Sequence, residues 1–315
     1  MSIPATYSFT HYLAAKKSAD DRALNQHVWQ CLTRALPRVT PAAPLQVLEV
    51  GAGIGTMVER LVTRGLLTNA IYTAIDADAE TLAELHRRLP PWMAERGFSL
   101  REETPARRRF QRQGQDLIVE VEALDLLNFS ARARSHRAWD LLIAHAFLDI
   151  VDIPTALANL FPLLRPGGLF YFTMVFDGGT VLQPAIDPGF DAQIETLYHQ
   201  TMDQRFITTQ PAGGSQTGRH LFAHLRAAGA ELLDVGSSDW VVFGGLHGYP
   251  AEEDYFLHCI IHTIHTALDG HPQLDPERFK VWIEQRHAQV EQGTLVYIAH
   301  QLDFLGRVPP STADA

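Results

Sequence analysis

The run "LQVLEVGAGIGTMVERLV", residues 45–62, constrains this chain more than any other stretch. Six residues of strand length and mostly apolar character lead straight into three glycines at alternate positions, Gly51, Gly53 and Gly55. A helical repeat then takes over through Met57, Val58, Leu61 and Val62. A strand that becomes a helix through glycines opens a β-α-β unit, and at such a turn the backbone can approach a ligand closely. The same spacing also serves a tight turn with no ligand, so the rest of the chain has to decide.

The next segments repeat the alternation. "AIYTAID" (70–76) reads as a second strand, and "AETLAELHRRL" as a helix stopped at Pro90-Pro91. Residues 97–127 are less regular, with an arginine-rich middle that reads as the tip of an extra hairpin. "WDLLIAHAFLDIV" (139–151) is a strand and its exit loop, "PTALANLFPLL" a helix, and "GGLFYFTMVF" (167–176) another strand. Residues 177–217, rich in Gly, Pro and polar types, read as a long loop with a short helix, a common form of functional insertion. Before the glycines, residues 8–36 read as helical, with Asp20 as an N-cap. After the long loop come the helix "GRHLFAHLRAAGA", a strand over 231–243, two clear helices, and a closing strand near 294–305.

The expected fold is therefore α/β, a mostly parallel sheet with helices on both faces and an antiparallel last strand. If 231–243 and 294–305 pair, residues 249–292 form a helical cap inserted between them. The organisation predicted is an N-terminal helical segment (1–40), a core (41–248), the cap (249–292), the final strand (293–308) and a disordered tail (309–315).

Composition narrows the function. The 315 residues carry a formal net charge of -10, which works against partners bound by neutralising phosphates, so nucleic acid is not expected. Two distant cysteines, Cys31 and Cys259, offer no disulfide framework and no cysteine-based zinc site. No signal-like N-terminus or long apolar run is visible, so a cytoplasmic protein without membrane contact is expected.

Asp76 ends the second predicted strand, about 20 residues beyond the glycines, where an acid accepts hydrogen bonds from both hydroxyls of a ribose. Glu49 lies two residues before the first glycine. With these in place, "VLEVGAGIGT", "YTAIDAD", "VEALDLL", "WDLLIAHAFLDIV" and "LLRPGGLFYF" fall in the order and spacing of the class I S-adenosylmethionine-dependent methyltransferases, which have a Rossmann-like sheet. The resemblance covers residues 45–176 well and the final strands more loosely. It implies S-adenosyl-L-methionine as cofactor, with Glu49, Gly51, Ala52, Gly53 and Gly55 passing beside its methionine part. Asp76 would hold the ribose, Ala77 would flank the adenine, and Asp125 with the Leu126 backbone would meet the adenine amino group. His145 and Ala146, in "AHAFLD", would line the methyl-transfer channel. Tyr12 or Arg22, on a helix of the kind that closes such pockets, would meet the cofactor carboxylate. The cofactor's cationic sulfonium and ammonium suit a site holding Glu49 and Asp76.

The acceptor is narrowed by what is missing: no Asn/Asp-Pro-Pro-Tyr segment, no Pro-Cys nucleophile, no Asp-Asn magnesium pair and no double-Glu loop. A small-molecule acceptor, methylated at O, N or C, leads. His145 and Asp149 are the candidates for acceptor chemistry, against a structural histidine and a helix cap respectively. Trp240 is either an aromatic wall of the pocket or core. His258, His262 and His265 share one helix face, but without HExxH no metal is expected. The arginines near 101–112 are flanked by acids and read as a solvated hairpin tip. Two other readings remain: an NAD-dependent oxidoreductase, disfavoured by GxGxG and Asp125, and a non-catalytic cofactor-binding protein whose cap meets a protein partner. Oligomeric state is not legible.

Overall fold

A computed structural model describes residues 3–4, 6–40, 42–133, 139–207 and 210–309. Three short helices lead: α1 (Phe9–Ala15), α2 (Lys17–Ala23) and α3 (Gln26–Ala35). The alternation then runs β1 (Leu45–Val50), α4 (Thr56–Thr63), β2 (Asn69–Asp76), α5 (Ala79–Ala94). A hairpin of β3 (Ser99–Thr104) and β4 (Arg107–Arg112) precedes β5 (Gln115–Ala123). Next come α6 (Leu126–Ala133), β6 (Trp139–His145), α7 (Ile153–Leu160) and β7 (Leu164–Gln183). The second half holds α8 (Pro188–Asp203), a two-residue pair β8 (Phe206–Ile207) and β9 (Gln210–Pro211), and α9 (Thr217–Ala227). The chain closes through β10 (Glu231–Ser237), β11 (Trp240–Phe243), α10 (Glu253–Leu268), α11 (Pro276–Glu291) and β12 (Val296–Arg307).

One sheet gathers almost every strand, in the order β10-β12-β7-β6-β1-β2-β5-β4-β3, with β11 also on β12. The strands β7, β6, β1, β2 and β5 are mutually parallel, while β12 runs antiparallel to β7 and to β10. This is the predicted Rossmann-like arrangement with an antiparallel last strand, and α10 and α11 fill the stretch between β11 and β12. Its central strands are buried on both faces, which is why they read as unbroken apolar runs. One core lies under α1–α5 and the cap; a second, including Phe129, Leu157 and Leu221, lies under α6, α7 and α9. Strand order reverses at β1, so β2 and β6 diverge from it and leave a crevice at their carboxyl ends.

Several local expectations are corrected. The helical stretch 8–36 breaks into three, and Asp20 caps nothing: it sits inside α2, buried, while the Asn25 side chain accepts from the amides of His27 and Val28 to cap α3. Pro90-Pro91 does not end α5. Proline has no N–H to give the His86 carbonyl, but Arg108 Nη1 reaches that carbonyl at 2.6 Å and satisfies it. The "loop" after 176 is instead the second half of β7, followed by the 16-residue helix α8. Its Gly179 misleads in the sequence but is needed in the sheet, because a Cβ there would lie 2.9 Å from the Cβ of His300 on β12. The single strand over 231–243 is two, β10 and β11, both on β12. Residues 310–315, most of the expected tail, lie outside the described residues.

Candidate active site

The crevice at β1 holds a cavity of about 810 Å³. Glu49, Gly51, Ala52, Gly53, Asp76, Ala77, Asp125, Leu126, His145, Ala146, Asp149 and Tyr12 all line it, so the topology brings nearly every predicted residue to one place. Gly55 and Arg22 are the two predicted residues outside its lining.

The glycines divide their work. Gly51 adopts φ +67°, and a Cβ there would stand 2.6 Å from Cδ2 of Phe147, so only glycine lets the β1 and β6 exits close together. Gly53 donates its amide to Asp76 Oδ2 at 2.8 Å, which ties the loop to the tip of β2. Gly55, at φ +80°, begins α4, and a Cβ there would strike Leu85 Cγ at 2.7 Å. Its role is helix packing, not lining. Arg22 is likewise elsewhere: both its terminal nitrogens hold the carboxylate of buried Glu253 on α10, at 2.5 and 2.9 Å, fastening α2 to the cap.

Asp76 accepts from the amides of Gly53 and Asp78, so its carboxylate is fixed at the strand tip with remaining lone pairs for a ligand. Asp125 is exposed at the end of β5 and accepts from the Asn128 amide, which with the Asn128 side chain holds its pKa below the usual range. Glu49 is the unusual acid. It is buried, accepts the Tyr72 hydroxyl at 2.6 Å, and desolvation pushes its pKa up to about 8 despite that bond. At neutral pH it is therefore mostly protonated.

His145 lies in a buried network that connects α2 to the sheet. Its Nδ1 meets Thr173 Oγ1 at 2.8 Å, and its Nε2 meets both Asp20 Oδ2 and Arg60 Nη1 at 3.1 Å. Asp20 also takes Lys16 Nζ at 2.7 Å, Arg60 Nη2 at 3.2 Å and Trp240 Nε1 at 2.8 Å. Burial by itself would raise the Asp20 pKa; Lys16, His145 and Arg60 outweigh it and hold the carboxyl far below the ordinary range. Burial, then the Arg60 charge, depress His145 to about 4, so the imidazole is neutral at pH 7. Both its nitrogens are committed to protein groups in either tautomer. This argues against His145 as a free base and for a role in positioning the β6 exit.

Asp149 differs. No ion pair holds it among the described residues, its buried Oδ1 has no partner, and desolvation raises its pKa. Next to this exit, Ala146 takes φ +50°, a costly conformation for alanine that its amide, bonded to the Thr173 carbonyl at 2.8 Å, helps to hold.

Sequence reasoning missed Arg60, Tyr198, Met202 and Tyr297 as parts of this region. The one local signal was Lys16 and Asp20, spaced i,i+4 at the start of α2. The predicted histidine row keeps one face of α10: His258 Nδ1 lies 2.8 Å from His287 Nδ1 on α11, His258, His262 and His265 all act on His287 after the larger effect of burial, and His262 also stacks on Tyr7. Of the arginines of β4, Arg107, Arg108 and Arg109 are taken up by Glu102, Glu103, Asp116 and Glu120, and Arg112 by Gln115 and the Arg96 carbonyl.

No protein-family model and no curated protein matches the sequence. Solved structures do overlay it. A Bacillus halodurans protein described as a candidate methyltransferase is 12% identical, covering 90% of this chain and 100% of its own, with a TM-score of 0.48. An S-adenosylmethionine-dependent methyltransferase of Methanosarcina mazei is 13% identical over 85% of this chain and 94% of its own, TM-score 0.44. The geranyl diphosphate C-methyltransferase of Streptomyces coelicolor A3(2) is 12% identical over 89% and 80%, TM-score 0.41.

Proposed function

We propose that the chain is an S-adenosylmethionine-dependent methyltransferase acting on a small-molecule acceptor. The observation that carries this reading is the cavity at the β1 switch point, bordered by the strand-tip acids Asp76 and Asp125 and by the protonated Glu49. The residues present fit the cofactor. Asp76 has lone pairs for two ribose hydroxyls, Gly51 and Gly53 leave the loop without side chains, and Glu49 can ionise beside a sulfonium or an ammonium. A dinucleotide fits less well, because the Gly53 amide that a pyrophosphate would seek is already held by the Asp76 carboxylate.

When bound, the cofactor supplies an electrophilic methyl group. The chain's own part is mainly positioning. Tyr12 and Leu13 on α1 cover the glycine loop, the His145 network fixes the β6 exit, and Asp149 faces the acceptor side, where it takes a proton if the acceptor must lose one. A small acceptor is supported by the size of the cavity, about 810 Å³, lined from α1, α8 and α10, and by a net charge of -10. Among the described residues no helix is long and apolar enough to cross a membrane.

Calorimetric titration with S-adenosylmethionine and, separately, NAD tests this. Binding of the first alone, weakened at least tenfold by Asp76→Ala, is expected; binding of NAD, or of neither, would end the methyltransferase reading.

A further inference from the structure

Beyond the glycine loop, three tyrosines from distant parts of the chain line the same cavity: Tyr12 on α1, Tyr198 on α8 and Tyr297 on β12. None of their hydroxyls has a hydrogen-bond partner among the described residues, and none of the three oxygens is sealed from the cavity, so each is open to a ligand. The three are neighbours: each of the other two raises the pKa of Tyr12, and Tyr198 that of Tyr297, after the larger effect of burial. Burial raises Tyr198, Arg205 lowers it and Asp149 raises it, so this carboxyl and Arg205 belong to the same group. Trp240 completes an aromatic wall, its ring 6.4 Å from that of Tyr297 and 5.1 Å from that of Phe256.

These walls can meet a cation or an anion, and the fixed charges decide. Lys16 and Arg60, the two buried cations here, both hold Asp20, and Arg60 holds Asp21 as well, so neither is free for an anionic ligand. Arg205 lines the cavity too; it is exposed, and it and Lys16 act on Asp149 without forming an ion pair with it. Asp149 forms no ion pair among the described residues, and its buried Oδ1 has no hydrogen-bond partner. Aromatic faces, neutral phenol oxygens and a carboxyl oxygen without a hydrogen-bond partner together suit an ammonium.

We propose that the methyl acceptor is an alkylammonium compound, its nitrogen held among Tyr12, Tyr198 and Tyr297 with one N–H turned to Asp149, while the Trp240 ring is already met by Lys16 Nζ at 5.5 Å. This rests on the methyltransferase reading and narrows it to N-methylation. Asp149 accepts one proton from the bound ammonium: an N–H bond breaks, an O–H bond forms, and the electron pair remains on nitrogen as the nucleophile. A raised carboxyl pKa is what a base facing an ammonium requires, since it narrows the gap between the two.

The test is calorimetric titration of the full chain saturated with S-adenosylhomocysteine, using two matched series. One is phenethylammonium, 2-phenylethanol and 3-phenylpropanoate; the other is ethylammonium, ethanol and propanoate. The ammonium of at least one series should bind at least tenfold more tightly than its alcohol and its carboxylate. In a Tyr198→Phe/Tyr297→Phe variant that preference should fall at least tenfold, with S-adenosylhomocysteine affinity unchanged within twofold as proof of folding. Equal binding of ammonium and alcohol, preference for the carboxylate, no binding in either series, or a preference that survives in the variant would overturn the proposal. Failure of S-adenosylhomocysteine to bind at all would instead refute the cofactor reading, and this inference with it.

Discussion

Cofactor binding should expel a proton from Glu49. In the free protein this carboxyl is buried against Tyr72 and pushed up to about 8 by desolvation, so at pH 7 roughly a tenth of molecules carry it ionised. A positive charge within several ångströms lowers a carboxyl pKa by about 1–3 units. A shift of about 2 units brings the ionised fraction to roughly nine-tenths, so binding at pH 7 releases roughly 0.8 proton per cofactor. Affinity should then strengthen by about 100-fold, near 2.7 kcal/mol, as pH rises through the window between the bound and free pKa values. Titration calorimetry at pH 7 in buffers of different ionisation enthalpy reads the proton count directly. Glu49→Gln should release none and lose the pH dependence. A wild-type release below about 0.2 proton, or an unchanged release in Glu49→Gln, would refute the reasoning that Glu49 answers a cation. The sign carries over to stability. Because the native state keeps the Glu49 proton above the pKa of the unfolded chain, the ligand-free fold loses stability as pH rises from about 4.5 to about 8. Glu49→Gln should therefore melt higher than wild type at pH 8 and close to it at pH 4.

Three further expectations rest on the same geometry. Gly51→Ala places a methyl 2.6 Å from Phe147 at φ +67° and should weaken S-adenosylmethionine at least tenfold, whereas Gly65→Ala, at φ +74° with nothing within 4 Å, should cost only about 1 kcal/mol in thermal melts and leave binding intact. Asp20→Asn leaves Lys16 and Arg60 buried with less than their counter-charge and should cost about 3–5 kcal/mol in urea melts. Since the Asp20 pKa is depressed on folding, the stability it gives is present above the unfolded value of 3.8 and fades in acid below it. Asp149→Asn should lower kcat about 10²–10³-fold while S-adenosylhomocysteine affinity is unchanged; an unaltered kcat would remove Asp149 from the chemistry.

The sequence by itself determined the frame of this protein. Strand, glycines and helix succeed one another within about 20 residues at β1, and hydrophobic period and turn chemistry act over that range, so the α/β alternation and the acids at the tips of β2 and β5 were legible. Where proline or glycine is rescued by a distant partner, local reading failed: Arg108 continues α5 past Pro90, and His300 on β12 demands the glycine that looked like a loop in β7. The chemistry of the far side of the cavity was decided only by tertiary structure. Asp20 meets Arg60, His145 and Trp240 across 40, 125 and 220 residues, and three tyrosines converge from α1, α8 and β12. No local pattern encodes such meetings, because they exist only once the sheet has set the strands side by side, and burial there raises the carboxyls of Glu49 and Asp149 while it depresses the imidazole of His145.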